Sequence, residues 1–145
     1  MSFLFSRQCE YALQAASYLA LQPQGKLISI NELTKRLKIP YHFLGKILQE
    51  LAQKRILISQ KGRNGGFALA ASPKKITLYK IIEAIDGTEF KHRCGMGFSE
   101  CSNASPCALH EQWEKSRNEI IELLAGNYIA AMARVIRKTE FADPA

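Results

Sequence analysis

The sequence predicts a mainly α-helical fold with one small β-hairpin. Apolar residues recur at helical spacing through most of the 145 positions, which is the pattern of amphipathic helices. One interruption, between residues 56 and 70, has strand-forming segments on both sides of an Asn-Gly-Gly turn. No run approaches the ~20 apolar residues that span a bilayer, and the first residues lack a signal-peptide pattern. We therefore expect a cytoplasmic protein with no membrane partner.

The first three predicted helices have recognisable boundaries. Residues 9–22 are rich in alanine and place apolar side chains near one face, before a turn at Pro23–Gly25. Ser29 and Glu32 form a capping box that opens the second helix. Pro40 suits the first turn of the third helix, because the N–H that proline lacks would be unpaired there in any residue. The apolar stripe of the third helix is Leu44, Ile47, Leu48 and Leu51.

The predicted hairpin follows the third helix directly. Its strands are Ile56–Ser59 and Phe67–Ala70, and the turn between them is the glycine-rich, basic segment Lys61–Gly66. Two capped helices joined by a short turn are a candidate helix-turn-helix. A basic hairpin placed after them predicts a winged helix-turn-helix.

Two further helices are predicted in the second half of the chain. Thr77 is expected to cap a helix that ends at Gly87. After an irregular stretch, Ser105-Pro106 is expected to start a long helix as N-cap and first-turn proline. This helix either continues past Gly126 or stops there, with Asn127 capping a new start. Its apolar stripe is Leu109, Trp113, Ile120 and Leu124.

The long helix also predicts a homodimer, because a helix outside the core usually buries a large apolar stripe on a partner subunit. The expected organisation is a winged-helix DNA-binding domain at 1–89, a cysteine-rich loop at 90–107, and a dimerisation helix with a tail at 108–145. The predicted fold class is therefore a winged helix-turn-helix plus a long C-terminal dimerisation helix.

The net charge of +7 lies entirely in the first part of the chain. Residues 1–89 hold 13 Lys+Arg and 6 Asp+Glu, whereas residues 90–145 hold 7 of each. A localised basic surface favours a polyanionic partner, because each neutralised phosphate releases counterions. The sequence has no nucleophile–base pairing, no C-x-x-C and no phosphate loop, so we expect neither an enzyme nor a small-molecule substrate.

Double-stranded DNA is the expected partner of this basic surface. N-terminal residues of the second helix of such a motif commonly reach base edges in the major groove, and a wing can reach the adjacent minor groove. Lys46 could bond a guanine edge or a phosphate. His42 alone is more often a surface or helix-end residue than a base reader, Lys35–Lys38 alone is a solvated helix face, and Tyr41 could pack instead. Only the combination of these residues favours DNA. The candidate contacts are Tyr41, His42 and Lys46 on the third helix, Lys35, Arg36 and Lys38 around the turn, and Lys61, Arg63 and Asn64 at the wing tip.

Three of the four cysteines, Cys94, Cys101 and Cys107, lie within fourteen residues, and His110 follows them. In a reducing compartment such a group is more often a metal or redox site than a disulfide framework. Three thiolates and an imidazole suit an iron–sulfur cluster or a zinc ion, and the lack of a C-x2-C pair favours iron–sulfur. A metal-free thiol switch, a structural zinc site and an inert site remain alternatives. Cys9, in the alanine-rich helix, is expected to be a buried apolar residue.

The sequence resembles the IscR/NsrR group of bacterial regulators, the Rrf-type winged-helix repressors, over nearly its whole length. The resemblance rests on three segments in this order: residues 10–20 (EYALQAASYLA), residues 61–87 (KGRNGGFALAASPKKITLYKIIEAIDG) and residues 93–113 (RCGMGFSECSNASPCALHEQW). It implies a homodimer joined through the long C-terminal helix, a palindromic operator, and an iron–sulfur cluster near the dimer junction.

The resemblance also implies a ligand set. Cys94, Cys101 and Cys107 match the three cysteine ligands of the family. His110 matches the fourth ligand of the branch that senses iron–sulfur status with a 2Fe–2S cluster. The partner subunit's Glu10 matches the acidic ligand of the nitric-oxide-sensing branch. We expect a 2Fe–2S cluster in preference to a 4Fe–4S cluster.

Two features depart from the cluster-status branch. The first gap of the cysteine loop has six residues instead of five, and Gly45 stands where that branch has a recognition-helix glutamate. The operator of that branch is therefore not expected here. The expected function is a DNA-binding repressor controlled by a cluster that senses iron–sulfur status, redox or nitric oxide. Ordering of residues 90–110 would set the spacing of the two recognition helices.

Overall fold

The computed structural model describes residues 4–99 and 101–136, with the side chains of residues 135 and 136 left aside. The chain is mostly helical, with one two-stranded antiparallel hairpin. Glu89–Lys91 form a short 3-10 turn after the fourth helix. The elements are α1 (Arg7–Ala20), α2 (Ile30–Leu37), α3 (Tyr41–Gln53), β1 (Leu57–Gln60), β2 (Gly66–Leu69), α4 (Leu78–Asp86), α5 (His110–Ala125) and α6 (Ile129–Ile136).

Helix α1 lies at the centre of the fold. Ser6 caps it, since its hydroxyl accepts a hydrogen bond from the Cys9 amide at 3.0 Å. The alanines of α1 that face the core are fully buried, and their small side chains let neighbouring elements approach closely. Helices α2, α3, α4 and α6 and strand β2 all contact α1. Cys9 is also buried, in agreement with its predicted role as an apolar residue.

The predicted helix-turn-helix is confirmed. Ser29 accepts a hydrogen bond from the Glu32 amide at 3.2 Å and so caps α2. Lys38 ends α2 in the left-handed conformation, with φ at 57°, and Ile39 of the turn is buried. Pro40 stands at the N-cap, so α3 starts at Tyr41, one residue later than expected.

The hairpin is anchored to the chain before α2. Strands β1 and β2 pair in antiparallel register, with Leu57 opposite Leu69. Ile28 pairs with Phe67 through two hydrogen bonds of 2.9 Å and extends the sheet by one residue. Gly66 has a φ of 154°, and a Cβ atom there would lie 2.4 Å from the Ile28 carbonyl oxygen. Only glycine therefore fits at this crossing.

The predicted boundaries of α4 are confirmed. Thr77 accepts a hydrogen bond from the Lys80 amide at 3.1 Å, and Gly87 ends the helix with a φ of 74°.

The predicted start of the next helix is wrong. Helix α5 begins at His110 and not at Ser105-Pro106. The backbone N–H of Ser105 is bonded to Ser102, and the backbone N–H of Cys107 points at the Cys101 sulfur at 3.4 Å. These bonds fold residues 102–107 into the cysteine loop. Cys107 consequently precedes α5 and does not share a helical face with His110.

The long C-terminal helix is interrupted at Gly126, the second of the two predicted alternatives. Asn127 does not cap the new start as expected, because its side chain donates to the Leu123 carbonyl at 2.7 Å and so closes α5. Helix α6 folds back on α1, with Ile129 fully buried and its amide bonded to the Ile76 carbonyl at 2.8 Å. Residues 137–145, the last part of the predicted dimerisation helix and tail at 108–145, lie outside the described part of the chain.

None of the helices in the described part of the chain is both long enough and apolar enough to cross a bilayer.

Candidate nucleic-acid interface and metal centre

Helix α3 presents a polar N-terminal face to solvent. Leu44, Ile47, Leu48 and Leu51 are buried beneath it, as their spacing predicts. Helical geometry therefore turns Tyr41, His42 and Lys46 outward, and all three are exposed. The rings of Tyr41 and His42 meet edge-on at 6.1 Å.

The predicted basic contacts lie on the elements that flank this face. Lys35 and Arg36 are on the last turn of α2, and Lys38 ends that helix. The remaining candidates are in the turn between β1 and β2. All six of these side chains are exposed: Lys35, Arg36, Lys38, Lys61, Arg63 and Asn64. Their contact with DNA stays a prediction.

Sequence reasoning missed Phe43 on the same face. Its side chain is 54% exposed on the first turn of α3, two residues after Tyr41. Tyr41 is 52% exposed as well, so the first turn of α3 offers two large ring side chains to a partner, and such a group indicates a contact surface more than a single exposed apolar residue does. The signal was present in the sequence, because Phe43 lies just outside the buried stripe that begins at Leu44.

The structure brings the three clustered cysteines together. The sulfur atoms of Cys94, Cys101 and Cys107 lie within 4.8 Å of one another, and the Cys94 and Cys107 sulfurs are 3.8 Å apart. A turn after Cys94 supports this arrangement, with the Gly97 amide bonded to the Cys94 carbonyl at 3.0 Å. Gly97 has a φ of 83°, which glycine adopts without strain. We call these three residues the thiol site.

His110, the first residue of α5, completes the group. Its Nδ1 atom lies 3.2 Å from the Cys101 sulfur, and its Nε2 atom lies 2.8 Å from the Asn103 side-chain oxygen. Because an amide oxygen only accepts, Nε2 is the ring atom that donates to Asn103, and in the neutral imidazole this leaves the Nδ1 lone pair facing the thiol site. Sequence reasoning missed Asn103, since an exposed loop asparagine has no local pattern.

The protonation of the sulfurs differs from one cysteine to the next. The Phe98 amide, aided by that of Met96, lowers the pKa of Cys94 to about 7 against the opposing effect of burial. The Cys107 amide lowers the pKa of Cys101, but burial and the neighbouring thiols outweigh it and raise that pKa. Burial raises the pKa of Cys9 to about 12, which keeps this fourth thiol neutral.

Trp113 and Arg117 lie on the α5 surface behind the thiol site. The Trp113 indole N–H donates to the Arg93 carbonyl at 3.0 Å, and the Arg117 guanidinium reaches the same oxygen at 3.5 Å. A Cβ atom on Gly95 would lie 2.5 Å from the Trp113 ring, so the loop backbone packs directly on the indole. Trp113 therefore packs as well as donating, and Arg117 has no signal in the sequence.

Glu10 lies on the first turn of α1, whose start is tied to the base of the cysteine loop. Asp86, at the end of α4, accepts hydrogen bonds from the Ser6 amide at 3.0 Å and from the Ser6 hydroxyl. The rings of Phe5 and Phe90 meet at 5.5 Å in the same place. The role of the partner subunit's Glu10 as a ligand stays a prediction.

Two relatives match the sequence well. A chain from Aquifex aeolicus (strain VF5), named an HTH-type transcriptional regulator, is 36% identical over 141 residues, covering 95% of this chain and 96% of its own length. The HTH-type transcriptional regulator NsrR of Shouchella clausii (strain KSM-K16) is 36% identical over 74 residues, which is 51% of this chain and 50% of that one.

Solved structures share the fold. CymR, the global cysteine regulator of B. subtilis, superposes with a TM-score of 0.75 at 21% identity, over 90% of this chain and 96% of CymR. The T. potens IscR structure has a TM-score of 0.72 at 22% identity, over 96% and 92% of the two chains.

The sequence profile of the Rrf2 family, described as an iron-dependent transcriptional regulator, matches residues 5–135. That match covers nearly the whole chain, and the winged helix-turn-helix agrees with it. This chain belongs to the Rrf2 family of winged-helix transcriptional regulators.

Proposed function

We propose that this protein is a DNA-binding repressor whose operator binding is controlled by an iron–sulfur cluster held at the thiol site. The observation that carries the proposal is the convergence of three sulfur atoms, from residues up to thirteen apart, within 4.8 Å. Nothing in a helical fold requires three thiols to meet at its surface. The description of the family as iron-dependent supports the same conclusion.

The residues present fit such a group. Three thiolates and an imidazole are a donor set that iron–sulfur clusters use, and the Nδ1 atom of His110 lies 3.2 Å from the Cys101 sulfur. Asn103 holds the far side of the ring, in the way that polar groups behind a metal site usually orient a histidine ligand. We propose His110 as the fourth ligand of a 2Fe–2S cluster, with the partner subunit's Glu10 as the alternative.

When bound, the group supplies a centre that reacts with oxidants and nitric oxide. The rest is done by the chain itself. The cysteine loop starts beside α4 and ends at α5, and these two helices contact each other. Ordering of the loop therefore constrains how α5 lies against the winged-helix body. Because α5 is the proposed dimer contact, the orientation of α5 relative to the winged-helix body sets the distance between the two α3 helices of a dimer.

The matching DNA is a palindrome with half-sites about one helical turn apart, since two α3 helices in a symmetric dimer read adjacent major grooves. A tenfold change in affinity between the two loop states needs only about 1.4 kcal/mol of coupling. We place the protein in the cytoplasm and assign it no catalytic activity, in keeping with relatives that are transcriptional regulators.

Purification without oxygen tests the cofactor. We expect a coloured protein with visible absorption bands and stoichiometric iron and sulfide. Cys101→Ser should lose them, and Cys9→Ala should retain them because Cys9 is buried in α1. His110→Ala and Glu10→Ala separate the two candidate fourth ligands, and Mössbauer spectroscopy gives the cluster type. A colourless protein with stoichiometric zinc would contradict the proposal.

DNA binding is tested by gel shift against palindromic duplexes at several salt concentrations. Lys46→Ala and Arg63→Ala should weaken binding and reduce its salt dependence, by a slope of about one for each phosphate that is no longer neutralised. Lys115→Ala removes one charge from the exposed side of α5 and serves as the matched control. Equal weakening in all three variants would show that only net charge matters.

A metal-free thiol switch is the second candidate, and one observation favours it. The Cys94 and Cys107 sulfurs are 3.8 Å apart, and the pKa of Cys94 is lowered to about 7, so a reactive thiolate faces a second thiol. One solved relative structure, S. aureus CymR, is described as the oxidized form. Mass spectrometry after mild oxidation of iron-free protein would detect a Cys94–Cys107 disulfide. A gel shift with the oxidised and the reduced protein would then show whether this disulfide changes DNA binding, as the thiol switch requires and the cluster sensor does not.

A further inference from the structure

We propose that Trp113 and Arg117 are positioning residues of the thiol site, which hold the Arg93 carbonyl and thereby fix Cys94 beside Cys107. The inference rests on the proposed function only in taking the thiol site as the sensor. It concerns how the loop is held, and it applies to any metal that the three sulfurs bind.

The geometry points to one shared acceptor. Trp113 and Arg117 are four residues apart, so they stand on consecutive turns of the same face of α5. The indole N–H reaches the Arg93 oxygen at 3.0 Å and the guanidinium reaches it at 3.5 Å. A carbonyl oxygen has two lone pairs, and this one meets two donors from a single helix. The peptide bond so held leads directly into Cys94.

The next residue of the loop is fixed by packing. A Cβ atom on Gly95 would approach the Trp113 ring to 2.5 Å, so the backbone directly after Cys94 packs against the indole. The residue before Cys94 is therefore held through its carbonyl oxygen, and the residue after Cys94 is held by its packing against Trp113. Neither contact involves the cysteine sulfur, which is left to face Cys107.

The burial of Arg117 shows that the contact is more than a surface bond. Arg117 is only 8% exposed, and its Nε atom has no partner among the residues that the structure describes. Burial of a guanidinium group that lacks some of its hydrogen-bond partners costs free energy of folding. Glu114 also lies near the guanidinium, at 3.9 Å, which is beyond hydrogen-bond distance, so the Arg93 carbonyl is its hydrogen-bond acceptor in the described part of the chain.

Glu114 connects the two ends of the site. Its carboxylate lies 3.9 Å from Arg117 and 3.9 Å from His110, which in turn contacts Cys101. One face of α5 thus holds Cys101 through His110 and Cys94 through Trp113 and Arg117. Movement of either cysteine would therefore displace side chains of the same helix, α5.

Cobalt binding to the reduced, iron-free, full-length protein tests the proposal. Co²⁺ bound by thiolates has an intense charge-transfer absorption, so titration gives both the affinity and the presence of sulfur ligands. Trp113→Phe keeps the ring and loses its N–H, and Arg117→Lys keeps the charge and loses the planar fork. We expect each to lower Co²⁺ affinity about fivefold, the worth of one hydrogen bond. Arg134→Lys, the same exchange at an exposed site on α6, is the control and should change nothing.

A second background separates positioning from general stability. In Cys94→Ser protein, Trp113→Phe and Arg117→Lys should have no further effect on Co²⁺ affinity, because the residue that they position is gone. Thermal unfolding of the metal-free variants should stay close to that of the wild type.

Three results would overturn the proposal. Trp113→Phe and Arg117→Lys could leave Co²⁺ affinity unchanged when Cys94 is present, or they could lower it as much in Cys94→Ser protein as in the wild-type background. The third such result is a wild-type protein that binds no Co²⁺ through sulfur. Absence of iron from the anaerobic protein would refute the proposed function but leave this inference standing.

Discussion

Gly95 and its neighbours show how single residues control the thiol site. The position has no room for a side chain, because the Trp113 ring occupies the place of a Cβ atom. The loop around it lies outside the buried core, so a change there should act on the site more than on folding.

Gly95→Ala tests this dependence. We expect the loop to shift away from α5, with iron content after anaerobic purification reduced several-fold and the emission of Trp113, the one tryptophan of the chain, altered. Thermal stability should change by less than about 1 kcal/mol, as for other substitutions away from the core. Ser99→Ala, at an exposed position in the same loop, is the control. Full iron content in Gly95→Ala would contradict the geometry.

Cys9 gives a prediction about alkaline stability. Burial first, and then the charges of Asp86 and Glu10, raise its pKa from 9.0 to about 12. The unfolded chain loses this proton near pH 9, whereas the folded chain keeps it until about 12. As the pH rises above 9, ionisation of Cys9 stabilises the unfolded state relative to the folded state. Cys9 thereby lowers the free energy of unfolding by at most about 1.4 kcal/mol per pH unit. Below pH 9 it has no such effect.

Urea denaturation of the wild type and Cys9→Ala, at pH values on both sides of 9, measures the difference. The variant should lose stability less steeply as the pH rises, while other titrating groups contribute equally to both proteins. Parallel profiles would mean that the thiol ionises in the folded state as readily as in the unfolded chain.

At the scale of elements, the turn between α2 and α3 combines a strained backbone with a candidate DNA contact. Lys38 has a φ of 57°, and Arg55, just after α3, has a φ of 62°. Left-handed conformation costs a residue with a Cβ atom roughly 1 kcal/mol, and glycine avoids this cost. Lys38 and Arg55 thus have the same left-handed backbone conformation, but they lie at opposite ends of α3.

Lys38→Gly and Arg55→Gly form a matched pair. Both should fold, with stability unchanged or raised by up to about 1 kcal/mol. Only Lys38→Gly should weaken DNA binding and reduce the salt dependence by a slope of about one, because Lys38 flanks the exposed face of α3. Gel shifts over a salt series and urea denaturation provide the two readouts. Equally weakened binding in both variants would argue against the predicted interface.

At the scale of the whole molecule, α5 leaves most of its length uncovered by the body. Arg117 is its one buried residue among those described, and Leu123 is 62% exposed. Trp113, Ile120 and Leu124, on the predicted apolar stripe, are half-buried within the protomer. The remaining exposed apolar surface is what a dimer would cover.

If the proposed dimer forms through α5, Leu123→Glu should break it. We expect the mass measured by light scattering to fall to that of one chain, and affinity for a palindromic duplex to fall with it, while the helical content is retained. Asn118→Glu places the same carboxylate on the other side of the α5 strip that packs on the body, and it should remain dimeric. A dimeric Leu123→Glu protein would show that the subunits meet elsewhere.

The sequence by itself determined the parts of this protein that depend on neighbours along the chain. Ser29, Thr77 and Gly87 end or begin helices through bonds that span three or four residues, and these predictions are confirmed. The apolar spacing of α3 and the glycine-rich turn of the hairpin are equally local. Such signals are readable because caps, turns and periodicity are decided within one or two turns of backbone.

Only the tertiary structure decided where distant segments meet. The cysteine spacing indicated a site, but it did not show that residues 102–107 bond to one another and delay α5 until His110. The return of α6 onto α1 and the hold of Trp113 and Arg117 on Arg93 join residues 20 or more apart in the chain. Burial and unpaired polar groups settle such contacts, and both are properties of the packed molecule that no local pattern carries.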